Sequence, residues 1–104
     1  MVELNKEIFE AEVRQHNGPV LVDFWSPKCD PCMALMPAVE KMAEEFSGVK
    51  FCKVNSLENR RLAIAEKVMG LPTILFFKDG EKVAELNGDM ATEANIRAEL
   101  EKIV

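Results

Sequence analysis

The spacing of apolar residues changes several times along the chain, and each change marks a new element. Val20-Leu21-Val22-Asp23-Phe24-Trp25 is apolar at every position but one. A run this short, bracketed by Gly18-Pro19 and Ser26-Pro27, predicts a strand buried on both faces. Leu35, Val39, Met42 and Phe46 then recur at intervals of four, three and four, the stripe of an amphipathic helix that opens from the loop Ser26 to Pro31. Pro37 should kink that helix and Gly48 should end it. Val49 to Val54 reads as a second strand, and Glu58 to Lys67 as a helix with Leu62, Ala65 and Val68–Met69 turned inward. Thr73 to Phe77 reads as a third core strand. Asp79-Gly80 joins it to Lys82–Asn87, a hairpin signal because a type I′ turn needs positive φ at both central residues.

The ends follow the same logic. Asn5 caps a first helix carrying Ile8, Phe9 and Glu12–Val13, which His16-Asn17-Gly18-Pro19 ends. Thr92 caps a last one, with Glu93 at its positive end and Ile96, Leu100 and Ile103 as its stripe. The order is a short strand, then α-β-α-β-α-β-β-α. Strands linked through helices are expected to run parallel with right-handed crossovers, and the closing hairpin to be antiparallel. The product is an α/β chain, a central mixed β-sheet flanked by helices on both faces.

At 104 residues this is a single domain, residues 1–104. Composition is that of an ordinary globular chain, 48% hydrophobic and 30% charged, which excludes disorder and collagen-like repeats. The net charge of −5 repels phosphate backbones and anionic lipid, so the expected partners include no nucleic acid and no membrane. No apolar run approaches the ~18 residues of a membrane span; Val68 to Phe77 is broken by Gly70 and Pro72. The first residues, MVELNKEIFEAEV, contain no apolar signal core. A cytoplasmic location is therefore expected.

Three cysteines are an odd count for a disulfide scaffold, which turns attention to catalytic or metal chemistry. Cys29-Asp30-Pro31-Cys32 lies between a buried strand and a helix. Two thiols three apart at a helix start can close a small disulfide ring, and the free N–H groups there favour a thiolate, the nucleophile of disulfide exchange. Cys29 is at the loop tip and more reachable, whereas Cys32 lies about one turn inward and can attack back. The alternative is half of a zinc site completed by Cys52 and His16. Against it, Cys52 falls inside a strand pattern and reads as a small buried hydrophobe. Asp23 is a carboxylate in an apolar strand, and burial would raise its pKa and equip it to exchange protons; the alternative is an edge residue facing solvent. Trp25 reads as core as readily as site. Of the six methionines, Met33, Met36 and Met69 could edge an adaptable binding surface, while Glu44-Glu45 and Glu99 to Glu101 read as solvated helix faces.

Asp23-Phe24-Trp25-Ser26-Pro27-Lys28-Cys29-Asp30-Pro31-Cys32 resembles the active-site segment of the thioredoxin family. The likeness extends over nearly the whole chain, through Pro37, Gly70-Leu71-Pro72-Thr73, the Phe77-Lys78-Asp79-Gly80 hairpin and Gly88. It implies the thioredoxin fold and a protein-disulfide reductase. In that reading Cys29 is the nucleophile, Cys32 the resolving thiol, and Cys29–Cys32 the disulfide. Asp23 becomes the proton acceptor and donor for Cys32, tuned by Lys53. A cis Leu71–Pro72 bond would leave the Leu71 backbone free for an extended substrate, with Trp25, Asp30, Pro31, Pro72 and Gly88 completing the substrate rim. The resemblance further implies a monomer with no metal or cofactor of its own, re-reduced by a thioredoxin reductase and spent on target proteins bearing disulfides. Three positions depart from the family pattern: Asp30 where Gly is usual, Lys28 where Trp is usual, and Met33 where Lys or Arg is usual. An exported oxidase or isomerase of the same fold, a non-catalytic structural subunit and a glutaredoxin are the rival readings.

Overall fold

A computed structural model describes residues 1–104 of the chain. Its strands are β1 (Val2–Leu4), β2 (Pro19–Trp25), β3 (Lys50–Asn55), β4 (Thr73–Lys78) and β5 (Glu81–Asn87), and its helices α1 (Asp30–Glu45), α2 (Arg60–Ala65) and α3 (Glu93–Ile103). They form one five-stranded sheet in the order β1-β3-β2-β4-β5. β3 is parallel to both β1 and β2, while β4 is antiparallel to β2 and β5 antiparallel to β4. The sheet is mixed, as the pattern of elements implied.

β2 is central, which is why its apolar run lacks alternation. Val20, Val22 and Phe24 face a core cluster with Phe9, Val13 and the α2 residues Leu62 and Ala63. Leu21 faces the other cluster, with Val39 and Met42 of α1 and Ile96, Leu100 and Ile103 of α3. Helices therefore cover both faces. Asp23 alternates with Val22 and Phe24 and so points toward the α1–α3 side.

One directional expectation fails. β3 and β4 are joined through a helix yet run in opposite senses. α2 has six residues and spans about 9 Å, whereas the six residues of β3 extend ~20 Å. The helix takes the chain toward the start of β2, where Glu66 meets Arg14, and residues 67–72 then bring it back. Thr73 therefore enters beside Phe24, at the end where β2 and β3 finish. Ser56 at the start of this connection and Pro72 at its close both lie at that end, where the cysteine loop also emerges.

Four local expectations change as well. The first helix is an α-turn at Phe9 widening into a π-helical segment, Glu10–Arg14, with Gln15 N–H donating to the Glu10 carbonyl at 2.9 Å. Asn5 still caps its entry, its Oδ1 accepting from the N–H groups of Glu7 and Ile8. α1 continues through Pro37, and it ends at Phe46 rather than Gly48 because that ring packs on the core with Arg97 stacked 5.8 Å above it. α2 is shorter than Glu58 to Lys67 because turns occupy the chain before Asn59. Its inward residues are Leu62 and Ala63, whereas Ala65 is exposed and Met69 is 92% exposed. Thr92 does cap α3, accepting from Asn95 N–H at 3.1 Å.

The hairpin loop is Asp79-Gly80, with φ +52° and +86° as a type I′ turn requires. Asp79 also ties the turn to the start of β2, its Oδ1 accepting from Gly18 N–H at 2.7 Å. A Cβ on Gly80 would overlap the backbone carbonyl of Arg14, which has no flexible end to give way. Gly80→Ala is therefore expected to cost about 2–3 kcal/mol in urea unfolding. Gly48→Ala, where a Cβ meets nothing and φ is ordinary, should change stability little. Equal behaviour of the two variants would contradict this account of the turn.

Candidate active site

The loop after β2 is shaped by Ser26, which is 6% exposed. Its Oγ accepts from Lys28 N–H at 3.1 Å and its carbonyl from Cys29 N–H at 3.0 Å. This Ser-centred turn delivers Cys29 to the cap position of α1, with Pro31 in the first turn, where a missing N–H costs nothing. The Cys29 Sγ accepts from Cys32 N–H at 3.3 Å, as a capping side chain does. Cys29 and Cys32 are disulfide-bonded, with Cα atoms 5.2 Å apart. Exposure is unequal: Cys29 is partly exposed and Cys32 only 1% exposed.

Asp23 is 1% exposed, and neither carboxylate oxygen has a hydrogen-bond partner. Burial pushes its pKa up from 3.8 to about 7, against the opposing pull of Lys53. A solvent-facing Asp23 is thereby excluded. Lys53 is its register partner on β3, and the Lys53 Nζ lies 5.7 Å above the Trp25 ring. Trp25 is half-buried at the end of β2 with its Nε1 unpaired. Lys53 is thus a partly buried neighbour of both Asp23 and Trp25 rather than a lysine in open solvent.

Leu71–Pro72 is cis. Pro72 is buried, its carbonyl accepting from Gly88 N–H at 2.9 Å, so the residues before β4 and after β5 are clamped together. The N–H and C=O of Leu71 have no hydrogen bond within the chain. Thr73 Oγ1 donates to the Gly70 carbonyl at 2.6 Å and fixes the loop. Ser26 and Thr73 both escaped the sequence reading. The signal for each was a hydroxyl residue beside a proline at a loop boundary, a setting for local side chain–backbone hydrogen bonds.

Asp30 and Pro31 are exposed at the start of α1, and Lys28 is exposed on the other side of Cys29. Met33 is 45% exposed near them, whereas Met36 is 9% exposed and belongs to the core. Cys52 is fully buried in the cluster on the α2 side, and burial pushes its thiol up to about 11. It is a packing residue, and no three His, Cys, Asp or Glu side chains gather to hold a metal ion. No helix is long and apolar enough to cross a membrane.

A helix-capping disulfide between one partly exposed and one buried cysteine, in the loop that follows a strand carrying a buried carboxylate, defines a dithiol–disulfide exchange domain. Comparison with known proteins gives the family. Residues 1–102 match the thioredoxin family model, and the chain belongs to the thioredoxin family. It is 50% identical to a thioredoxin of Acetoanaerobium sticklandii, with all of both chains covered. It is also 50% identical to one of Peptoclostridium acidaminophilum, covering all of this chain and 96% of that one. Among solved structures, a mutant thioredoxin from Halobacterium salinarum is similar with a TM-score of 0.87 and 33% identity, over 98% of this chain and 88% of that one. Mitochondrial thioredoxin 3 of Saccharomyces cerevisiae, in its oxidised form, has the same fold, with a TM-score of 0.90 at 24% identity over 99% of this chain and 95% of that one. The protein works by dithiol–disulfide exchange through Cys29 and Cys32.

Proposed function

We propose that the protein reduces disulfides of target proteins in the cytoplasm, as a monomer re-reduced by a thioredoxin reductase. The unequal exposure of the two sulfurs carries the assignment of roles. The Cys29 thiolate, favoured by the N-terminus of α1, attacks a target disulfide. A Cys29–target bond forms, and the leaving target sulfur takes the bonding pair and then a proton. Asp23 accepts the proton of Cys32. The Cys32 thiolate attacks the Cys29 sulfur, the second target sulfur leaves, and the products are a reduced target and the Cys29–Cys32 disulfide. The unpaired Leu71 backbone supports the reading, because an extended target segment can pair with it. Trp25, Asp30, Pro31, Pro72 and Gly88 line the same end of the sheet, and Lys53 adjusts Asp23. Charged Glu81, Lys82 and Glu85 on the edge strand β5 support a monomer, since they discourage strand pairing between copies. The test is the reduction potential of the pair. A value near the ~−270 mV of thioredoxins is expected, and one near the ~−120 mV of a strong oxidant would overturn the reductase assignment.

Asp30 shifts that potential. Its carboxylate, on the residue next to Cys29, opposes the thiolate, whereas the disulfide form has no charge for it to oppose. Asp30 therefore makes the dithiol a better reductant. Asp30→Gly is expected to raise the potential by about 10–20 mV, the equivalent of ~0.5–1 kcal/mol across an exposed, salt-screened contact. Lys28→Trp should lower it by removing the opposing charge. Titration of both variants against a glutathione redox buffer checks this, and unchanged potentials would make Lys28 and Asp30 irrelevant to the pair.

A further inference from the structure

We infer that Lys6, Arg60 and Arg61 form a docking surface for an acidic segment of the polypeptides that exchange disulfides with this protein. The inference rests on the reductase reading. The ion pairs of the chain engage Arg14, Lys50, Lys82, Arg97 and Lys102, and Lys53 is committed to the Trp25 ring. Lys6, Arg60 and Arg61, like Lys28, Lys41, Lys67 and Lys78, have no carboxylate partner within 4.0 Å, and these three together line one open cavity of about 400 Å³ with Leu57, Glu7 and Glu58. Three cations against two carboxylates give this depression a small net positive charge on a chain of net charge −5.

Position gives this charge its meaning. Lys6 lies two residues beyond the end of β1, and Arg60 and Arg61 lie just beyond β3. The cysteine loop lies just beyond β2. These three strands are parallel neighbours in the order β1-β3-β2, so all three segments emerge from the same edge of the sheet. Counted within the sheet, β3 and β1 are one and two spacings of ~4.8 Å from β2, and Arg60 and Arg61 open α2 on the face opposite α1. In open α/β sheets this edge is where ligands gather. A polypeptide bound at Cys29 that extends across this end of the sheet toward β1 reaches the cavity.

The occupant is an extended acidic stretch rather than a small anion. All three cations are exposed and sit on two separate segments. They do not converge as buried donors on one point, as tight capture of a small anion requires. A chain of spaced carboxylates can meet them in turn, and partly exposed charges of this kind act on encounter rate and partner choice.

The test uses two peptides sharing one disulfide loop, flanked in one by glutamates and in the other by Gly and Ser. The wild-type protein is expected to favour the acidic peptide in kcat/KM, with the preference shrinking as salt rises. Arg60→Glu/Arg61→Glu should lower the acidic-to-neutral ratio by about tenfold, and Lys6→Glu, on the other segment, by roughly threefold. A ratio unmoved by all three charge changes overturns the inference. A wild-type protein that reduces neither peptide overturns the reductase reading instead. In that case, NMR titration of the oxidised protein with cysteine-free hexaglutamate still decides this surface. Shifts confined to residues 6–7 and 57–62 support it, and their absence, or equal shifts with inorganic phosphate, overturns it.

Discussion

Cys32→Ser is expected to stop turnover and to leave target proteins covalently attached to Cys29. The first half of the exchange needs only Cys29, which is partly exposed and capped onto the N-terminus of α1. The second half needs a thiolate held beside the new bond, and Cys32 is that group, with its Cα 5.2 Å from that of Cys29. Removing it makes resolution wait for a thiol from solution. The loss of an intramolecular partner is worth orders of magnitude in effective concentration, so turnover should fall by at least about a hundredfold. Mass spectrometry of the trapped adducts checks the assignment. The third thiol, Cys52, is fully buried and pushed up to about 11, and it should carry none of them. Adducts on Cys52, or none while Cys29 is reduced, would refute the roles given to the pair.

Asp23→Asn is expected to stabilise the oxidised protein in alkaline solution and to leave it nearly unchanged in acid. The buried carboxylate has no hydrogen-bond partner, and its charged form is what burial penalises. Its pKa is raised in the fold, so the native state binds the proton more tightly than the unfolded chain does. Relative to Asn, Asp23 therefore costs nothing below about pH 4, progressively more as pH rises, and its full penalty above about 7. Displacement from 3.8 to about 7, at ~1.4 kcal/mol per tenfold change in proton affinity, sets roughly 4 kcal/mol as the upper size of the effect. Urea unfolding of both oxidised proteins between pH 4 and 9 measures it, and the disulfide keeps Cys29 and Cys32 from titrating. A stability difference independent of pH would show that Asp23 ionises without penalty. On the proposed mechanism the same substitution should also slow resolution of the mixed disulfide, because it removes the group assigned to accept the Cys32 proton.

Local chemistry made much of this protein legible in its sequence. The unalternating run of β2, the Asp79-Gly80 turn, the Thr92 cap and the stripe of α3 each depend on residues close along the chain, and short-range sterics and hydrogen bonding fix them. The cysteine pair was equally plain, since its spacing at a strand–helix junction is itself the local geometry of the disulfide. Residues far apart in the chain settled the remainder. The reversed direction of β4 follows from the return of residues 67–72 to the end where β2 finishes, and the inward face of α2 from how it lies on the sheet. The close approach that reserves position 80 for glycine comes from Arg14, sixty-six residues earlier. Asp23 showed its identity in the sequence, but its unpaired oxygens and raised pKa arise from burial by the surrounding strands and helices. Lys53 reads as an ordinary strand lysine until register sets it beside Asp23 and over Trp25. Lys6 and Arg60 share a cavity only because β1 and β3 are parallel neighbours that end together. Desolvation and the meeting of charges depend on distance in space, which a linear pattern of residues leaves open until the sheet order is set.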